Sequence, residues 1–520
     1  MTYKITAFFL TIILTISFWL YSRFTVDDAF ISWIYAKNLI QHGILNYNPS
    51  LLDLTQSYTN PIFVVLSLIP IYFNFDIVLF FKLFSLTNLI IFCFYYLFQT
   101  KGSYLTLLLL LAIPSTIIHL FGGLETFFYV SLVSALYISL DKNNKKLSTI
   151  ISLILFLTRP ETWLFCILIP IFFLFKKKTL YFNKNFFYKK KSIIKQELQI
   201  RNFIIIALYL FVPLVIYLLL NKFYYGYMLP NSFYIKSNFN FSLSKFFELL
   251  FFITPVLLIV LFGRIKIFFL ILTYSLMLAI NYSMSNLMMN YSSRFTFQIF
   301  IPIFIFLIYL SMQNHNFFKI NLNKKIQNKI SLKNFTKFTS IIFLIFYLQN
   351  SSMTGGLITY YPRALNAHAL LGKTLSGMQK ENNYNIRTIA LGDAGMIAYY
   401  SDLLVLDFVG LGSSLVAHKN PTNEILNIYK PDLIIFYSHD NQNPTNEYDQ
   451  DKILNWATQN GLSYTCDVYF LPSYRLTLYS RSKPQELLEV CKSSQLKNNK
   501  TSWNYLQKIW HLPPWSYWTE

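Results

Sequence analysis

The chain is short of charge. Only 13% of its 520 residues are Asp, Glu, Lys or Arg, while 54% are hydrophobic; soluble domains carry about 25% charge. That shortage excludes an ordinary soluble protein and points to a chain mostly inside a membrane. Cysteine is scarce too. Of the four residues, Cys93 and Cys166 fall in apolar runs and are expected to be inert. Cys466 and Cys491 lie in the tail, with no histidine cluster nearby to suggest zinc; they pair only if the tail faces an oxidising compartment. No G-x-G-x-x-G or Walker pattern occurs, so nucleotide binding lacks support. Internal repeats and low-complexity linkers are absent.

What the chain does have is long apolar runs. Ile5–Tyr21, Ile77–Phe98, Tyr104–Phe121 and Asn202–Leu220 are each near the ~20 residues a helix needs to cross a bilayer. The first lacks a small-residue cleavage site and is expected to be a retained anchor. The formal net charge of +21 raises nucleic acid as a partner, but its placement argues against it. Residues 350–520 hold 14 basic and 14 acidic residues, so the excess lies in residues 1–349. Two loops, 176–201 with nine basic residues and 312–338 with six lysines, carry most of it. Basic clusters between spans mark the cytoplasmic side; lipid head-group binding is the second reading. Placing both loops inside predicts about eleven spans, with the N-terminus cytoplasmic and the tail outside. Residues 61–73 are apolar but short, and are expected to form a re-entrant or interfacial helix.

Acidic residues are rare in the membrane half: nine in residues 1–349. On the predicted topology all but Asp141 and Glu197 fall on the outer side. Carboxylates near a membrane are costly and tend to mark function, so chemistry on the outer face is the first expectation. Asp27 and Asp28 stand at the mouth of the first outer loop, residues 23–76. The stretch after them, AFISWIYAKNLIQHG, predicts an amphipathic helix at the membrane surface. Adjacent side chains diverge on regular backbone, so one aspartate is free to face a reaction centre while the other caps a helix or binds a cation; capping by both is the alternative. His42 is expected to cap that helix's C-terminus. The tail reads as a small α/β domain, with strands expected in RTIAL, SDLLVLDFVGL and KPDLIIFYS. The Gly392-Asp393 turn either takes part in binding or is only a tight strand-to-helix turn.

Six motifs occur in order: DDAFISWIYAKNLIQHGILNYNP with QSYTNP (residues 27–61), GGLET (122–126), TRPET (158–162), YYGYMLPNSFYIK (224–236), SSRF (292–295) and GDAGMIAYYSDLLVLDFVGL (392–411). Together they resemble the polytopic GT-C glycosyltransferases that use polyprenyl-phosphate-linked sugars, in particular the terminal arabinofuranosyltransferases of actinobacterial cell walls and the LphB-type membrane proteins. Trp33 and Ile34 stand where arginine is common in that family, and Gln56-Ser57 replace Glu-Gly, departures that bear on the donor sugar.

The resemblance implies a polytopic α-helical membrane protein, GT-C-like, with residues 1–349 as catalytic domain and residues 350–520 as a periplasmic α/β domain in a bacterial inner membrane. It implies transfer of a sugar from a polyprenyl-phosphate donor to an envelope glycan or lipid acceptor, with inversion. Such transfer needs a base for the acceptor hydroxyl and cations for the departing phosphate. Asp28, or else Asp27, is the expected base. Arg159, Lys236 and Arg294 are the expected phosphate cations, with interfacial snorkelling as their other reading. Glu125 and Glu161 either pair with these cations or bind sugar hydroxyls. Tyr58 and Asn60 line the donor site or are turn residues before Pro61. A divalent ion is allowed, though the aspartate pair supplies too few ligands. Two rivals stand: a transporter or flippase for lipid-linked glycans, and a non-enzymatic envelope assembly factor.

Overall fold

A computed structural model describes residues 11–18, 24–100, 107, 110, 111, 113–175, 191–236, 240–262, 266–287, 290–313, 338, 339, 341–346, 366–380, 386–439, 447–471 and 474–496. The membrane half is helical. Three of its helical segments begin at a proline, Pro61, Pro114 and Pro160, where the missing N–H costs nothing and the ring's fixed φ suits the first turn. The helix Asp28–His42 ends at Gly43 in left-handed backbone, the usual glycine stop. His42 occupies the last turn, so the capping position itself belongs to Gly43.

Helices are found at the expected spans among the described residues, but fewer of them qualify to cross a membrane. Four are long and apolar enough: Ile77–Thr100, Ile200–Tyr225, Leu243–Val260 and Tyr291–Met312. A fifth candidate is a bent pair, Ser115–Phe121 and Thr126–Asp141, which meet at 112°. Of the expected eleven or so spans, four or five are long and apolar enough among the described residues, by length and composition. The physical reason is that helices such as Lys145–Phe156 and Leu164–Phe175 have only 12 residues, well under the ~20 that span the hydrocarbon layer. Residues 61–72 form a single 12-residue helix. Residues 104–121, the first span and the last are described only in part, and the two basic loops fall largely outside the described residues.

Burial sorts the helices. The segment Ile200–Tyr225 leaves much of its apolar surface exposed, whereas Tyr291–Met312 is enclosed on nearly every face. An all-round apolar helix fits the centre of a bundle, and Arg294–Met312 packs there against Thr126–Asp141 and Leu243–Phe262. The helix Asp28–His42 departs from expectation: it is buried, not interfacial. Ala29 through Ala36 are all buried, because the helix is held between Pro61–Tyr72 below and the C-terminal domain above.

The C-terminal domain carries a five-stranded sheet of order β2-β1-β3-β5-β4. Strands β1 (Thr388–Leu391), β2 (Leu404–Asp407) and β3 (Leu433–His439) are the three expected ones and run parallel. Their near-continuous apolar runs suit strands covered on both faces. Strands β4 (Ser463–Leu471) and β5 (Tyr474–Ser480), not anticipated from sequence, add an antiparallel hairpin beside β3. Cys466 on β4 and Cys491 on the Gln485–Leu496 helix form a disulfide, which settles the open pairing.

Candidate active site

Three charged motifs converge because each interrupts a helix. Glu125 sits in the break of the bent pair, at the start of Thr126–Asp141. Arg159 precedes the short 3-10 turn Pro160–Trp163 that carries Glu161. Arg294 begins its helix directly after Ser292 and Ser293, both left-handed at φ 50° and 49°. Irregular backbone at membrane depth is tolerated where it is buried in protein or lines a cavity. These breaks do line one, of about 320 Å³. Its wall includes eight of the nine expected site residues: Asp28, Tyr58, Asn60, Glu125, Arg159, Glu161, Lys236 and Arg294.

Most of these charges are committed to one another. Glu125 Oε1 accepts from Arg159 Nη1 at 2.9 Å and from Arg294 Nη2 at 2.8 Å, and Oε2 accepts from Asn60 Nδ2 at 2.9 Å. Arg159 also grips Glu161 through Nη2 at 2.7 Å and Nε at 3.2 Å. Asn60 in turn accepts from Ser32 at 2.7 Å, and Arg294 Nε donates to Thr126 at 2.9 Å. Of the two readings held for Glu125 and Glu161, ion pairing is the one the geometry displays. Tyr282 and Gln298, which sequence reading missed, extend the network: Tyr282 donates to Gln298 at 3.0 Å and stands 3.5 Å from Glu161. Neither belongs to a charged motif, so no sequence signal singled them out.

Asp28 and Lys236 differ from the rest. Among the described residues neither has a salt-bridge or side-chain hydrogen-bond partner, and both line the cavity. Burial pushes the Asp28 carboxyl above the ordinary carboxylate value, against the pull of Lys236 and Arg294. Burial lowers the Lys236 ammonium, with Asp28 opposing. A carboxylate with raised proton affinity, facing open space and cations, is equipped to accept a proton from a hydroxyl. The residues do not fit the divalent ion that the resemblance allows. Glu125 and Glu161 are taken up by arginines, and among the described residues no group of three His, Cys, Asp or Glu side chains converges.

Asp27 is the expected site residue that the cavity excludes. It stands at the N-cap position of Asp28–His42 but makes no side-chain cap there. Its carboxylate instead accepts from the amides of Gly395 at 2.9 Å and Met396 at 2.7 Å, across the junction with the C-terminal domain. The adjacent pair has thus split as divergent side chains must: Asp28 to the cavity, Asp27 to the domain. Asp53 behaves like Asp27, accepting from Ser413 Oγ at 2.7 Å, Tyr429 at 2.9 Å and the Ser414 amide at 3.2 Å. Asn48 exchanges two hydrogen bonds with the Val405 backbone, and Tyr47 donates to the Ala394 carbonyl. The Gly392-Asp393 turn lies at this junction too, with Asp393 3.5 Å from His368. The domain also reaches the cavity itself, where Leu411 forms part of the wall.

Comparison with known proteins adds one match. A family model described as "Domain of unknown function (DUF8728)" covers residues 367–481, the sheet and the helices around it except Gln485–Leu496. No curated protein matches the chain.

Proposed function

We propose that the chain is a GT-C-like glycosyltransferase that moves a sugar from a polyprenyl-phosphate donor to an envelope glycan or lipid on the outer face of a bacterial inner membrane. The observation that carries this reading is that Asp28 and Lys236 both line the cavity and act on one another electrostatically, with neither in a salt bridge among the described residues. Asp28 takes the proton of the acceptor hydroxyl as that oxygen attacks the anomeric carbon. The bond from the anomeric carbon to the phosphate oxygen breaks, and the lipid phosphate leaves with the bonding pair. Lys236 and the edge of Arg294 hold its charge, the electrostatic role such a step requires. Attack opposite the departing phosphate inverts the anomeric centre. Glu125, Glu161 and Arg159 keep Arg294 and Asn60 in place.

The finer topology belongs to the same proposal: a GT-C-like bundle of about eleven spans, short helices tilted or broken inside it, the N-terminus in the cytoplasm and the tail in the periplasm. The disulfide of the tail supports the last point, since such bonds persist in oxidising compartments.

The test is transfer by the purified full chain in liposomes carrying polyprenyl-phosphate sugars of several kinds, with envelope glycans as acceptors. Asp28→Asn is expected to keep expression and fold while transfer falls by roughly 10²–10⁴-fold, the usual contribution of a positioned base. Transfer unchanged in this variant would end the proposal. A flippase would move donor across the bilayer in the same liposomes with no transfer, and Asp28→Asn would leave that movement intact.

A further inference from the structure

We infer that the C-terminal domain fixes the position of Asp28, with Asp27 as the positioning residue that latches the outer loop to that domain. The inference rests on the proposed role of Asp28 and says what holds it. Three close approaches confine the segment 24–29. From the membrane half, Val26 donates its amide to the Gly122 carbonyl at 3.0 Å. A Cβ added at Gly123, whose φ is +82°, would stand 3.2 Å from Ala29 and 3.3 Å from Thr25. From the tail, a Cβ added at Gly395 would stand 2.3 Å from both the Asp27 carbonyl oxygen and Oδ2, a separation no carbon tolerates. The GGLET and GDAG motifs therefore press on the two sides of one short stretch, and the glycines are what let them.

The polar contacts act at the same place. Asp27 accepts both Gly395 and Met396 amides, and His368 lies 3.7 Å from Asp27 and 3.5 Å from Asp393. Asp27 is itself buried, and a buried carboxylate is costly unless such donors meet it; the domain supplies them. The Ala29 and Phe30 amides bond back to the Val26 and Asp27 carbonyls at 3.1 and 3.0 Å, so the first turn holding Asp28 is tied to whatever holds Asp27. Displacing the domain would release Asp27 and let that turn shift. Leu411, carried by the same domain, would leave the cavity wall with it.

The experiment uses the full chain in nanodiscs, with Asp27→Ala, Gly395→Ala and the double variant, read in two ways. Hydrogen exchange at the amides of residues 28–31 and 395–396 reports the latch whether or not transfer is observed. Steady-state transfer reports its effect on the base. Each single variant is expected to speed exchange at both segments and to lower kcat by roughly 10²-fold, the usual consequence of misplacing a reacting group by about an ångström, with donor KM unchanged. The double variant is expected to add little, because both changes release the same contact. Asp27→Asn, which keeps one accepting oxygen, should fall between wild type and Asp27→Ala. Both single variants should retain the acidic limb of the pH–rate profile that Asp28 supplies, whereas Asp28→Asn loses it. Unchanged exchange at residues 28–31, faster exchange with normal kcat, or additive losses in the double variant would each overturn the inference. Absence of transfer in the wild type, with the exchange pattern as expected, would instead count against the glycosyltransferase reading.

Discussion

The first outer loop sends carboxylates to both the cavity (Asp28) and the domain junction (Asp27 and Asp53), and the two places treat them differently. At the junction, Asp27 and Asp53 meet backbone amides and hydroxyls, which fill their lone pairs and leave them structural. In the cavity, Glu125 and Glu161 form salt bridges to guanidinium groups, while Asp28 makes none among the described residues and feels Lys236 and Arg294 only at longer range. A carboxylate's sequence neighbourhood does not assign its role, since Asp27 and Asp28 are adjacent. What assigns it is how much of its hydrogen-bonding capacity the fold has already consumed.

That contrast breaks first at Glu125. Removing a buried ion-pair partner leaves an uncompensated charge and costs about 3–5 kcal/mol. Glu125→Gln leaves Arg159 and Arg294 facing each other without it, and is expected to destabilise the protein by that amount in thermal unfolding of the solubilised chain. If stability is unchanged, Glu125 is not the hub of the network. A smaller and opposite effect is expected at Lys236, which makes no salt bridge or side-chain hydrogen bond among the described residues. Charge-assisted hydrogen bonds contribute about 1.5–3 kcal/mol, so Lys236→Met should raise the donor KM by roughly tenfold or more while leaving thermal stability close to wild type. A loss of stability without a change in KM would place Lys236 among the committed charges, alongside Arg159 and Arg294.

The cavity was more legible in sequence than the junction, because the family resemblance singled out GGLET, TRPET and SSRF, whose charges the fold gathers at breaks between helices. The three parallel strands were legible as apolar runs. The junction was not: Asp27 and Gly395 are 368 residues apart, and a carboxylate that will accept backbone amides has no side-chain partner to betray it. The same limit hid the burial of Asp28–His42, whose outer face is covered by a distant domain. Strands β4 and β5 mix polar and apolar residues without a clean run, and β4 is bulged at two places. Span length was the part sequence read least well: among the described residues only four or five candidates are long enough by length and composition, since helices of 12 residues read as apolar as longer ones.

The central claim, that Asp28 is the free base of the cavity, meets its most direct measurement in the pH dependence of kcat/KM. On the proposed mechanism transfer needs Asp28 ionised, and burial raises its pKa above the ordinary value of 3.8. Activity should therefore fall as pH drops through an apparent pKa above that value, and the residual activity of Asp28→Asn should lack that limb. An acidic limb that persists unchanged in Asp28→Asn would show that another group carries the proton.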